Sequence, residues 1–130
     1  MRRYLLDTPL LAAALLGRAG ATALVTPWIT QGEAATSILV YGEVIEYIRR
    51  RTDFPTLRLQ LRELLAEITP HFLTYAIMER YAEIRLQLRP RGQLIGDIDT
   101  LIAATALERN LTLVTTTPTI SASQACRSCC

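Results

Sequence analysis

Apolar positions along this chain come in short runs, and each run ends on a polar or turn-forming residue. Tyr4-Leu5-Leu6 is too short for a helix and stops at Asp7, so residues 3–6 read as a buried strand. Thr8-Pro9 has the form of a helix start, with proline at the first helical positions, and the helix over 10–16 should stop at Gly17. A second helix fits 21–31, with an interruption at Thr26-Pro27. Residues 35–39 form a second candidate strand, followed by a helix over 40–51 in which Val40, Val44, Ile45 and Ile48 keep helical spacing. After a break at 53–56, Thr56 is placed to cap a helix over 57–66. Ile68-Thr69-Pro70 reads as a short edge strand, where proline is tolerated. From 73 to 88 a helical stripe contains Ala76, Ile77, Tyr81, Ile84 and Leu88, ended by Pro90-Arg91-Gly92. Asp99 opens the most apolar helix, 100–108, with Asn110 in its C-terminal turn, and 111–115 is the clearest strand.

Strands that alternate with helical segments predict an α/β layer fold with a central parallel sheet. Ligands in such sheets bind beyond the carboxyl ends of the strands, which is where Asp7 and Thr115-Thr116-Thr117 fall. Glu43 and Asp99 are expected in the first turns of helices that point the same way, so the carboxylates can converge despite their separation in sequence. There is no internal repeat, heptad pattern or low-complexity segment.

Composition narrows the picture. At 130 residues, half of them apolar, the chain is expected to form one domain with its own core. No apolar stretch is long enough to span a membrane, and the N-terminal run is cut by Asp7 and Pro9, unlike a secretory signal, so a cytoplasmic location is expected. A net charge of +2 does not by itself imply a polyanion partner. All 14 basic residues are arginine, which suits bidentate phosphate contacts but equally follows from a GC-rich gene. The three cysteines are Cys126, Cys129 and Cys130, and His71 is the one histidine, so a structural zinc site lacks its second pair of ligands. Gly17 and Gly20 lack the Lys-Ser/Thr of a P-loop, and no Gly-x-Ser-x-Gly elbow is present. The run Arg49-Arg50-Arg51 ends a helix, where cations are favoured in any case.

The remaining chemistry is acidic. Asp7, Glu43, Asp97 and Asp99 each stand at the edge of an apolar segment with no basic neighbour in sequence. Carboxylates so placed need neutralising, and a hard divalent cation such as Mg²⁺ or Mn²⁺ does this through oxygen ligands while keeping water on the metal. Beside a phosphodiester, such a site activates a water for in-line attack. Thr8 and Thr115 are placed to add hydroxyl contacts. The alternative is structural: Asp97 and Asp99 complement a helix macrodipole, and Asp7 caps a helix.

The stretches Tyr4-Leu5-Leu6-Asp7-Thr8, Thr36-Ser37-Ile38-Leu39-Val40-Tyr41-Gly42-Glu43-Val44 and Asp97-Ile98-Asp99-Thr100-Leu101-Ile102-Ala103-Ala104, followed by Leu111-Thr112-Leu113-Val114-Thr115, carry a resemblance. In order and spacing they resemble the PIN-domain ribonucleases, and specifically the toxins of VapBC-type toxin–antitoxin pairs. The resemblance implies a PIN-like α/β/α sandwich over residues 1–117. It also implies a metal-dependent endoribonuclease using Mg²⁺ or Mn²⁺, a homodimer, and inhibition by an antitoxin that inserts a helix and a basic side chain into the acidic site. Asp7, Glu43 and Asp99 match the metal-binding acids of that family, and Asp97, at a variable position, is auxiliary.

The C-terminus departs from the pattern. Where the family has a further Asn or Asp and a final edge strand, this chain has Thr117, and residues 118–130 form an atypical tail holding every cysteine. One choice of codons for 117–130, read one nucleotide earlier, encodes Asp-Pro-Asp-Tyr-Gln-Arg-Val-Pro-Gly-Leu-Gln-Val-Val-Leu, which resembles the usual ending and puts an acid at the Thr117 position. The expectation is a frame slip near Thr116 and the loss of the C-terminal edge strand. Two readings follow: an active ribonuclease, or a degenerate PIN domain with reduced or no cleavage that still binds an antitoxin.

Overall fold

The computed structural model describes residues 1–115. Its elements run β1 (Tyr4–Leu6), α1 (Thr8–Leu15), α2 (Ala19–Thr30), β2 (Ala34–Ser37), α3 (Ile38–Ile48), α4 (Phe54–Glu67), β3 (Thr69–His71), α5 (Tyr75–Leu88), a 3₁₀ turn at Arg89–Arg91, α6 (Asp97–Glu108) and β4 (Thr112–Val114). The four strands form one parallel sheet in the order β3-β2-β1-β4. The first two crossovers move outward in one direction and the third returns across the sheet. With the near-universal right-handed crossover, α1–α4 therefore cover one face and α5–α6 the other. This is the expected α/β architecture. The expected loss of a C-terminal edge strand, the domain limit at 117 and the 118–130 tail concern residues outside those described.

Central strands of a parallel sheet are covered on both faces, which explains why Leu5, Leu6, Ala34 and Ala35 are fully buried with no polar alternation. They share one core with Leu10, Leu11, Val40, Val44, Ile48 and Leu61. The stacked rings of Tyr4 and Trp28, 4.2 Å apart, seat α2 against the sheet. A second buried cluster, Ile77, Ile84, Leu88 and Ala104, joins α5 to α6. Among the described residues no single helix is long and apolar enough to cross a membrane. Helices α1 and α2 meet that measure only as a pair bent by 100°.

Two helix ends show how the chain is returned to the sheet. Gly17, at φ +72°, ends α1 while its N–H and that of Arg18 reach back to Ala14 and Ala13. Asn110, at φ +56°, ends α6 in the same way, with Leu111 N–H bonded to Ala106 O over 2.8 Å. In each case a residue that tolerates the left-handed conformation lets the last carbonyls be satisfied.

Several expected boundaries move. Pro27 does not interrupt α2. Its ring and Ala23, whose carbonyl loses its partner, are both exposed, so water can take the place of the missing N–H. Helix α4 begins at Phe54 and not after Thr56, because Pro55 is pre-set for the first turn. Helix α5 begins at Tyr75, where the Thr74 side chain accepts from Ile77 N–H over 3.2 Å. Strand β2 stops at Ser37, whose hydroxyl caps α3 by accepting from Leu39 N–H, and this places Glu43 in the second turn and not the first. Asp97 and Asp99 both lie inside the first turn of α6.

Candidate functional site

The acidic site forms where the strands stop. Asp7 follows the last residue of β1, at the carboxyl edge of the sheet, and its backbone N–H donates to Val114 O of β4 over 3.2 Å. Its carboxylate caps α1, with Oδ1 accepting from Leu10 N–H at 3.2 Å. Since Leu6 pairs with Val114, the next residues along the two strands, Asp7 and Thr115, also come together. The Thr115 side chain hydrogen-bonds the Asp7 carboxylate.

Glu43 reaches the same place from α3. The Thr8 hydroxyl donates to Glu43 Oε1 over 2.5 Å, which ties the first turn of α1 to the middle of α3. Asp99 arrives from the first turn of α6, with Oδ2 folded back to 3.8 Å from the position a side-chain carbon on Gly96 would occupy. The Thr100 hydroxyl donates to Gly96 O over 2.8 Å and closes that turn.

Electrostatics ties the three acids together. Burial raises the pKa of Asp7 above its ordinary value of 3.8, and the negative charges of Asp99 and Glu43 push the same way. The hydrogen bonds from Thr115 and Leu10 oppose the rise without cancelling it. Asp99 and Glu43 therefore both act on Asp7 although the three belong to separate segments. Bringing like charges together at a sheet edge is unfavourable for folding alone, and is the arrangement a cation would relieve.

Asp97 is placed elsewhere. Its Oδ1 accepts from Arg85 Nη1 at 2.5 Å and from the Tyr81 hydroxyl at 3.2 Å, both on α5. It does not contribute to the shift of Asp7. The structure thus brings Asp7, Glu43 and Asp99 into one electrostatic neighbourhood and gives Asp97 a cationic partner of its own.

Among the described residues the side-chain ligand atoms around Asp7 are oxygens: carboxylates and the hydroxyls of Thr8 and Thr115. That set suits a hard ion such as Mg²⁺ or Mn²⁺ better than a soft metal. Among the described residues no three His, Cys, Asp or Glu side chains stand close enough to enclose an ion by themselves. The fit is to an open site, in which one or two carboxylates bind directly and water completes the shell, as Mg²⁺ prefers.

The hydroxyls of Thr8 and Thr115 sit against the carboxylates as their sequence positions suggest. Two buried polar residues at the same edge carry no comparable signal. Thr36 donates to Leu6 O over 2.9 Å, and Ser37 caps α3; both are fully buried. The one hint was a pair of small hydroxyl residues closing an apolar strand ahead of a helix. Thr117, the position expected to hold a fourth acid, lies outside the described residues.

The PIN domain family model matches residues 4–117. Solved structures of similar fold include VapBC2 from Rickettsia felis bound to a DNA fragment from its promoter, at 24% identity and a TM-score of 0.75, covering 86% of this chain and 85% of that one. DNA-bound VapBC from Salmonella typhimurium gives 17% identity and a TM-score of 0.78, over 88% and 86% of the two chains. FitAcB from Neisseria gonorrhoeae gives 20% identity and a TM-score of 0.77, over 97% and 92%. A search of curated protein sequences found no match.

Proposed function

Since the chain belongs to the PIN domain family, we propose that it is a metal-dependent endoribonuclease and the toxin of a toxin–antitoxin pair. The observation that carries this reading is the placement of Asp7 at the carboxyl edge of the sheet, within reach of the charges of both Glu43 and Asp99. A purely structural domain has no use for like charges gathered there. The alternative of a helix cap accounts for Asp7 alone, and the macrodipole for Asp99 alone; neither accounts for their convergence with Glu43.

Asp7, Glu43 and Asp99 are the residues that would hold Mg²⁺ or Mn²⁺, with Asp97 set apart by its pairing to Arg85. The bound ion supplies charge neutralisation for a phosphodiester and a more acidic water as nucleophile. The chain's own residues prepare for this. Thr115 and Leu10 N–H fix the Asp7 carboxylate, Thr8 fixes Glu43, and Thr100 closes the turn that presents Asp99. Carboxylates oriented in advance lose little freedom when they take up an ion and its substrate.

The VapBC structures are complexes of two kinds of chain, which supports an antitoxin as the partner. A groove of about 400 Å³ beside Thr8, floored by Ala12 and Ala13 and bounded by Arg18 and Tyr47, offers such a chain an apolar seat beside the acids. Exposed Phe72, Leu73, Tyr75 and Met78 are a surface that a second copy would cover in a homodimer.

RNA cleavage with Mn²⁺ or Mg²⁺ tests the reading, with parent, Asp7→Asn and Thr117→Asp proteins side by side. Cleavage that needs the cation and disappears in Asp7→Asn is expected. Cleavage that persists in Asp7→Asn, or in the presence of EDTA, would remove the carboxylate mechanism. Inactivity in the parent with recovery in Thr117→Asp would instead favour the degenerate PIN domain, for which the absence of an acid at Thr117 is the motivating observation.

A further inference from the structure

The first turn of α6 presents Asp99 to the site, and within α6 it is closed by the bonds of Thr100 to Gly96 O. Gly96 occupies the N-cap and makes no side-chain cap, and residues 91–99 are all exposed. What ties this turn to a neighbouring helix comes from α5. Arg85 Nη1 and the Tyr81 hydroxyl both donate to Asp97 Oδ1, at 2.5 and 3.2 Å. The Arg85 guanidinium also lies 5.6 Å from the centre of the Tyr81 ring, so the three side chains form one closed contact. Arg85 is the anchored member, with 25% of its side chain exposed against 70% for Asp97.

The same helix pair is tied at its other end, where Arg80 reaches Glu108 over 3.5 Å. Alongside the two ties runs the separate cluster of Ile77, Ile84, Leu88 and Ala104. Helix α6 is thus registered on α5 by contacts that involve neither Asp7 nor Glu43. A single residue, Ile98, separates the tie at Asp97 from the acid at Asp99, so a shift of the first turn moves both.

We propose that Arg85 and Tyr81, acting through Asp97, are positioning residues that set where Asp99 stands relative to Asp7, and thereby set the affinity of the acidic site for a divalent cation. The inference rests on the metal-dependent reading above. Asp97 is on this account a tie between helices and not a ligand. Simple charge counting makes the opposite prediction. A guanidinium near an acidic site repels a cation, so its removal by charge alone should tighten binding. Loss of position should weaken it.

Calorimetric titration of the intact protein with Mn²⁺ alone separates the two. Arg85→Gln and Arg85→Lys are compared with the parent, and amide hydrogen exchange at residues 97–100 is followed without metal. In Arg85→Gln the expected result is roughly two- to five-fold weaker Mn²⁺ binding, the scale of an exposed ion pair, together with faster exchange of those amides. Arg85→Lys keeps a single charged donor and should restore both. Equal or tighter Mn²⁺ binding in Arg85→Gln overturns the proposal, as does unchanged exchange. Failure of the parent to bind Mn²⁺ counts against the ribonuclease reading and, with it, against the effect on affinity. The exchange measurement then reports separately whether Arg85 ties α6.

Discussion

Replacing Asp7 by asparagine keeps the size of the side chain and an oxygen that can accept from Leu10 N–H, while removing the charge that Glu43 and Asp99 disfavour. Asparagine is as good an N-cap as aspartate, so α1 should not lose its start. Removing a charge that the fold raises in energy is expected to stabilise the protein. Asp7 is only partly buried, and solvent screening limits the gain to about 0.5–1 kcal/mol. Alanine at the same position also removes the charge but loses the cap to Leu10, which costs about 0.5–2 kcal/mol. The two variants should therefore be equally inactive on RNA and differ in stability, with asparagine above the parent and alanine below asparagine. In thermal unfolding the asparagine gain corresponds to roughly 2–5 °C.

The effect has a definite pH dependence. The folded pKa of Asp7 lies above the unfolded value of 3.8, so its protonated form favours the fold. That contribution is fully present below 3.8 and is lost as pH rises through the folded value. Parent and Asp7→Asn should thus be alike in acid and separate as the pH rises, reaching a constant difference at neutral pH. Urea unfolding at a series of pH values measures it. An asparagine variant clearly less stable than the parent at pH 7, or a difference that shrinks with rising pH, would refute the reasoning.

Thr8→Val removes the hydroxyl that holds Glu43 and should slow cleavage roughly ten- to a hundred-fold, the scale of losing a hydrogen bond to a charged group. Thr8→Ser should stay near the parent, and initial rates that do not distinguish valine from serine would contradict the role. His71 has its Nε2 shut away from water with no partner among the described residues, and burial together with the charges of Arg109 and Arg2 lowers its pKa below 6.5. Its neutral form favours the fold, so stability should fall as pH drops below about 6.5 towards the lowered folded value. The ring is partly exposed, so the loss should be about 0.5 kcal/mol. His71→Leu should flatten the unfolding profile between pH 7 and 5, and an unchanged slope would show that another group titrates there.

Much of this architecture was legible because its signals are local. A three-residue apolar run ending in Asp-Thr-Pro specifies a strand, a cap and a helix start within a few positions, and β1 and α1 follow it closely. Asn110 announced the turn between α6 and β4 for the same reason. Pro27 and Thr56 misled because their usual effects were outweighed, by solvent access at Ala23 in one case and by Pro55 in the other. The convergence of Asp7, Glu43 and Asp99 could be anticipated from strand polarity. The pairing of Asp97 could not, because Arg85 lies in an ordinary amphipathic helix and nothing marks it out until α5 and α6 are packed. Thr36 and Ser37 were inconspicuous for a similar reason, since their partners are backbone groups that only the folded sheet supplies.

The pairing of β1 with β4 has a consequence in time as well as in space. Asp7 leaves the ribosome well before Asp99 and Thr115, which follow it only after α1 to α5 and strands β2 and β3. Strand β2 can dock on β1 early, but the edge that completes the acidic site must wait for β4. A nascent chain thus carries these acids unassembled until β4 has emerged. Between the emergence of β1 and the closure of the sheet the acids cannot act together, and the β1–β4 ladder is what ends that interval.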